Sequence, residues 1–122
     1  MKIEIKGKLP SYNEYQDQNR RNPHAGGQMK KSIEQLIGYQ LVKMEKITEP
    51  VVIHFLWHEK TRRRDKDNVA FAKKFILDAM QKTGKLPNDN NKYIAGFTDS
   101  FDYGSEWGVT VEIETGRDTG EP

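Results

Sequence analysis

Two carboxylates one residue apart, Asp65 and Asp67, stand directly behind three arginines in the run Arg62-Arg63-Arg64-Asp65-Lys66-Asp67-Asn68. A third acid, Asp89, follows in Leu86-Pro87-Asn88-Asp89-Asn90. Clustered carboxylates are hard oxygen donors suited to Mg²⁺ or Mn²⁺. The arginines would draw in a polyanion, and phosphate held beside carboxylate calls for a cation between them. Together these residues point to metal-dependent chemistry on nucleic acid. Taken singly, each acid has a plainer use. Asp67 or Asn68 could cap a helix, worth about 1 kcal/mol, and Asp89 between asparagines could form a turn.

The chemistry depends on elements that bring these residues together. Met1, Ile3 and Ile5 alternate with Lys2, Glu4 and Lys6, which predicts a half-buried strand closed by Leu9-Pro10-Ser11. The stretch from Tyr12 to Gly27 is rich in Asn, Gln, Arg and Gly and reads as a long loop. Met29, Ile33, Leu36, Ile37, Leu41 and Met44 recur at helical spacing, giving an amphipathic helix that ends before Pro50. Val51 to Trp57 is apolar on nearly both faces, the pattern of a central strand. A second helical stripe runs through Val69, Ala72, Phe75, Ile76, Ala79 and Met80 and stops at Gly84. Tyr93 to Thr98 forms the next strand, and Trp107, Val109, Val111 and Ile113 mark the last. The expected fold is one small α/β domain over residues 1–115, a mixed sheet with two packed helices in the order β-α-β-α-β-β. Residues 116–122, polar and breaker-rich, read as a flexible tail.

In that frame Asp65 and Asp67 follow a strand and open a helix, and they share a side if the segment stays extended. Asp89 follows the helix and precedes the next strand. If those strands are neighbours, its loop is expected to return to the same end of the sheet, where three acids could share a metal. At ~100° per residue, Lys74 falls about 20° from the azimuth of Asp67 and Lys73 about 120° from it, so Lys74 is the expected partner of the acids. Arg62, Arg63 and Arg64, with Lys73, Arg20 and Arg21, are the candidate phosphate contacts. His54 and His58 fall on one strand face and read as sheet surface, and with His24 they lack the spacing of a zinc site.

Composition bounds the rest. The chain has 122 residues, 34% hydrophobic and 31% charged, which limits it to a modest core that would gain from self-association. The net charge is only +2, so nucleic-acid affinity must come from clustering. There are no cysteines, which excludes disulfides and thiolate metal sites. No apolar run approaches a membrane span and the N-terminus lacks a signal-peptide core, so the expected location is the cytoplasm.

The ordered set Arg64-Asp65-Lys66-Asp67-Asn68, Lys74, Asp78-Ala79-Met80, Gly84 and Asp89 resembles the RusA family of crossover-junction endodeoxyribonucleases, the Holliday-junction resolvases common in bacterial prophages. Leu9-Pro10-Ser11-Tyr12-Asn13 is similar to that family's N-terminal Pro-Ser-x-Asn element, which adds Asn13 to the DNA-facing candidates. The resemblance spans residues 1 to about 114. It implies an α/β homodimer in a bacterial or phage setting that cuts four-way DNA junctions symmetrically with Mg²⁺. By position it implies an acidic triad at Asp65, Asp67 and Asp89. The family's lysine follows the second Asp by one helical turn, where this chain has Phe71, and anchoring on Asp78-Ala79-Met80 selects Lys74 instead.

Two other functions compete with this one. A non-catalytic junction-binding module would use Asp65 and Asp67 as helix caps and the arginines as phosphate grips. A sugar-nucleotide glycosyltransferase could use Asp65-Lys66-Asp67 as its Asp-x-Asp, but the chain is too short for the usual nucleotide-binding domain.

Overall fold

The N-terminal alternation forms strand β1 (Lys2–Lys6), and the last strand predicted from sequence forms β4 (Gly108–Thr115), paired with it antiparallel. These descriptions come from a computed structural model and cover residues 1–115. The expected tail at 116–122 lies outside the described residues. Between the outer segments the chain runs through helices α1 (Tyr12–Arg21) and α2 (Pro23–Gln40), strand β2 (Val51–Glu59), helices α3 (Lys66–Ala70) and α4 (Lys73–Lys82), and strand β3 (Ile94–Tyr103). The sheet order is β1-β4-β2-β3, with β2 antiparallel to β4 and parallel to β3. A small α/β domain with a mixed four-stranded sheet was the expected class.

The helix content was not. The segment expected to be a loop from Tyr12 to Gly27 is α1 and the first turns of α2. Its start is written in polar chemistry rather than in an apolar stripe. Ser11 Oγ accepts from the Glu14 amide, and the Glu14 carboxylate accepts from the Ser11 amide, closing a capping box. Asn22 then caps α2 through the His24 amide, with Pro23 at the first helical position. None of the α1 side chains is fully buried, so no periodicity advertises the helix. It is pinned by Tyr15, which meets Phe75 edge-on at 5.4 Å between ring centroids and lies against Phe71.

The expected single helix after β2 is also two segments. Successive short bonds, Ala72 N–H to Val69 O and Lys74 N–H to Phe71 O, tighten the chain between α3 and α4. Gly84, with φ of +75°, ends the helical run as expected, in a left-handed turn that a side chain would strain.

The helices pack together on one face of the sheet, with α1 lying against α2 and α3. Burial along β2 therefore alternates, with Val51, Ile53, Phe55, Trp57 and Glu59 buried and Val52, His54, Leu56 and His58 only half-buried. The core joins this buried row to Ile3 and Ile5, to Val109, Val111 and Ile113, and to the apolar stripes of α2 and α4. The opposite face of the sheet carries the histidines. His54 bonds Thr98 and Glu114, and His58 bonds Thr110, so both are sheet-surface residues with local partners. Leu36, assigned to the buried stripe of α2, instead faces out, because Ile33, Ile37 and Leu41 fill the contact with the sheet.

Candidate functional site

The first two acids sit beyond the C-terminal end of β2. Asp65 has extended backbone, φ −67° and ψ 148°, and occupies the cap position of α3, but its side chain makes no capping bond. Asp67 lies in the first turn of α3. Among the described residues neither carboxylate has an ion pair or a side-chain hydrogen bond, and both are exposed. The plainer use as helix caps is therefore not taken up by either side chain. Lys66, which separates them in sequence, lies by the Phe101 and Tyr103 rings and makes no ion pair with either acid among the described residues.

Asp89 does not join them within the chain. Strands β2 and β3 are neighbours, as the argument required, but they run parallel from Val51 beside Ile94 to Glu59 beside Tyr103. A helical crossover between parallel strands carries the chain back to the end where the first strand began. Asp89 precedes β3 by a tight turn, in which the Tyr93 and Ile94 amides donate to the Asn90 carbonyl. It consequently lies near the start of β2, while Asp65 and Asp67 lie past its end. The eight residue steps between those ends span roughly 26 Å. The expectation that the Asp89 loop returns to the same end of the sheet is overturned by this parallel pairing. Among the described residues no group of three or more His, Asp or Glu side chains is placed to hold a metal ion. The turn itself uses Asn90, whose side chain accepts from the Lys92 amide, and leaves the exposed Asp89 carboxylate without a described partner.

The arginines divide. Arg64 is structural. Its Nε and Nη2 donate to the two oxygens of Glu59 at 2.8 and 2.7 Å, and Nη1 donates to the Leu9 carbonyl and to Glu14. Its side chain is 13% exposed and that of Glu59 only 4%, so the pair ties the end of β2 to the segment before α1. Burial alone would lower the Arg64 pKa, but the bonds from Glu59 and Glu14 outweigh it and raise it. Burial likewise pushes Glu14 up, and the bonds from Arg64 and Ser11 more than offset this, holding its carboxyl below the ordinary range. Arg64 is thus withdrawn from the phosphate-binding set proposed from sequence. Arg63 is exposed, and among the described residues only its backbone amide is engaged, donating to Thr61 Oγ1. Arg62 lies over the Tyr103 ring at 4.0 Å. Arg20 and Arg21 are exposed in the last turn of α1, where positive charge also complements the helix dipole. Asn13 is exposed in the first turn of α1.

Neither lysine takes the place that the helical-wheel expectation gave Lys74. That expectation assumed one helix from Asp67 to Lys74, and the tightened step at Phe71 and Ala72 breaks the azimuth count. Lys74 is 57% exposed and reaches Asp78 at 3.7 Å. Lys73 is half-buried and turns toward β3, where its Nζ donates to Asp99 at 2.8 Å. The other Asp99 oxygen accepts from Trp57 Nε1 at 2.8 Å. Neither lysine pairs with Asp65 or Asp67 among the described residues. Asp99 was not a candidate from sequence. The signal available was the alternation Phe97-Asp99-Phe101-Tyr103, which puts one acid in an otherwise aromatic row facing the helices.

No protein-family model matches the chain, and no curated protein matches it at a significant level.

Proposed function

We propose that the chain is a divalent-metal-dependent endonuclease acting on branched DNA, of the junction-resolving kind that its motif order resembles. One observation carries the reading: among the described residues Asp65 and Asp67 are exposed and unpaired, while Arg64 and Glu59 behind them are locked together to hold the end of β2. Carboxylates kept free beside a rigid anchor are available to a cation. The fit to Mg²⁺ rests on the donor set. That ion commonly takes one or two protein carboxylates and completes its shell with water and substrate phosphate. Bound there, it would activate water and stabilise charge on the phosphate and the leaving oxygen. Asp65 and Asp67 would hold it, and Arg62, Arg63 and Lys66 would receive the DNA backbone and set its register. Asp89 enters such a site only from a second copy of the chain, which makes a two-fold dimer part of the reading rather than an addition to it.

A binding module without catalysis is the second reading, and the distance of Asp89 from the other two acids favours it. One assay separates the two. Synthetic four-way, Y-shaped and linear DNA are incubated with the protein, with and without Mg²⁺. Paired cuts across the four-way junction that require Mg²⁺ are the expected result. Junction binding with no cleavage at any Mg²⁺ concentration would establish the second reading instead.

A further inference from the structure

Strand β3 is an edge strand, and its helix-side row is chemically unlike the row beside it. By register, Phe97, Phe101 and Tyr103 flank Ile53, Trp57 and Glu59 of β2. The β2 residues are buried, whereas Phe97 is 42% exposed and Phe101 and Tyr103 are half-buried. Phe101 packs against the margin of the core, and Phe97 stays open. What reaches the row is a line of cations: Lys73 Nζ at 4.8 Å from the Phe97 ring centre, Lys66 Nζ at 5.7 Å from both Phe101 and Tyr103, and Arg62 at 4.0 Å from Tyr103. The one acid in the row, Asp99, is already matched by Lys73 and Trp57.

Long cationic side chains do cover apolar rings simply to shield them. That use does not account for the composition here. Shielding an edge calls for charge on the strand itself, yet this row spends three of its four outer positions on aromatic rings and borrows its cations from elsewhere. Rings with π-faces and cations alongside are the pairing that binds unpaired nucleotides, bases on the rings and phosphates on the cations. Phe101 and Tyr103, as alternate strand residues, are roughly 6.6 Å apart and Phe97 lies about 13 Å from Phe101, against the 3.4 Å rise of stacked bases. The row therefore suits bases splayed apart, not a stacked duplex. It also runs toward the end of the sheet where Asp65 and Asp67 lie.

We propose that the β3 row of Phe97, Phe101 and Tyr103, with Arg62, Lys66 and Lys73, is a stacking platform for unpaired nucleotides at the branch of a DNA substrate. The proposal rests on the nucleic-acid reading above and names how a branch would be told from a duplex. The experiment measures binding of a fluorescent oligothymidylate, a four-way junction and a linear duplex, without metal, by the full chain and by Phe97→Ala and Tyr103→Leu variants. Unchanged circular dichroism and thermal midpoints establish that the variants fold. Each ring should cost about tenfold in affinity for the oligothymidylate, a smaller but clear loss on the junction, and nothing on the duplex. Unchanged oligothymidylate binding in both variants overturns the platform, as does an equal loss on the duplex, which would mean that the rings only support the basic face. Absence of any DNA binding by the unaltered protein overturns the platform together with the nucleic-acid reading. Ring-dependent binding without Mg²⁺-dependent cleavage supports the platform while removing the endonuclease reading, so the two fail separately.

Discussion

At the scale of single residues, the 62–68 run divides into a nearly buried Arg64 and the exposed Arg62, Arg63, Asp65 and Asp67. Arg64 anchors, and its removal would leave the nearly buried Glu59 carboxylate unmatched. Breaking a buried pair in this way costs about 3–5 kcal/mol. Arg64→Ala should therefore lower the free energy of unfolding by that order in a denaturant titration, whereas Arg63→Ala should leave it unchanged and weaken DNA binding. Equal stability of the two variants would show that the Glu59 fork does not hold the strand end. Glu14 gives a pH signature. Its carboxyl is held low in the folded state, so its contribution is fully present above the ordinary glutamate value of about 4.3 and is lost as pH falls through the lower folded value. Glu14→Gln should flatten the decline in denaturation midpoint below that pH, by a small amount because the group is substantially exposed. A decline as steep as in the unaltered protein would assign it to other carboxylates. The position of Asp65 and Asp67 after a strand and at the opening of a helix was legible in the sequence from the pattern around them. The burial of Arg64 was not, because its partners Leu9, Glu14 and Glu59 come from two distant segments.

At the scale of elements, strands and apolar helices announced themselves and polar helices did not. The alternation of β1 and β4 and the stripes of α2 and α4 carry periods that a one-sided core imposes. Helix α1 carries no such period, since it is held by a capping box, by the Arg64–Glu14 pair and by the Tyr12 and Tyr15 rings on Phe71 and Phe75, and its polar composition resembled a loop. The join of α3 to α4 shows how one tightened turn undoes a wheel argument. With the azimuth count broken, Lys73 faces the β3 row and Lys74 faces Asp78. Lys73→Ala should weaken binding to branched DNA more than Lys74→Ala, by several-fold in a titration at fixed salt. A larger loss at Lys74 would mean that the substrate lies along the outer face of α4.

At the scale of the whole molecule, the parallel pairing of β2 with β3 decides where the acids lie. Sequence order alone was compatible with either sheet end for Asp89, because neither strand direction nor partner is written in a linear pattern. If Asp89 serves the site from a second copy, Asp67→Asn and Asp89→Asn proteins should each be inactive. Mixed and re-equilibrated, they should regain nicking through the one site that keeps both native acids. A silent mixture of two folded variants would exclude this exchange, and full activity of Asp89→Asn would remove that acid from the chemistry. No helix among the described residues is long and apolar enough to cross a membrane. The central claim, that free carboxylates at the end of β2 hold a metal for DNA cleavage, is tested most directly by single-turnover cleavage of a four-way junction at saturating Mg²⁺. The unaltered chain should cut paired strands, and Asp67→Asn, which keeps the side-chain shape but removes the charge, should bind the junction as tightly and leave it uncut. Cleavage by Asp67→Asn at the rate of the unaltered chain would contradict the account.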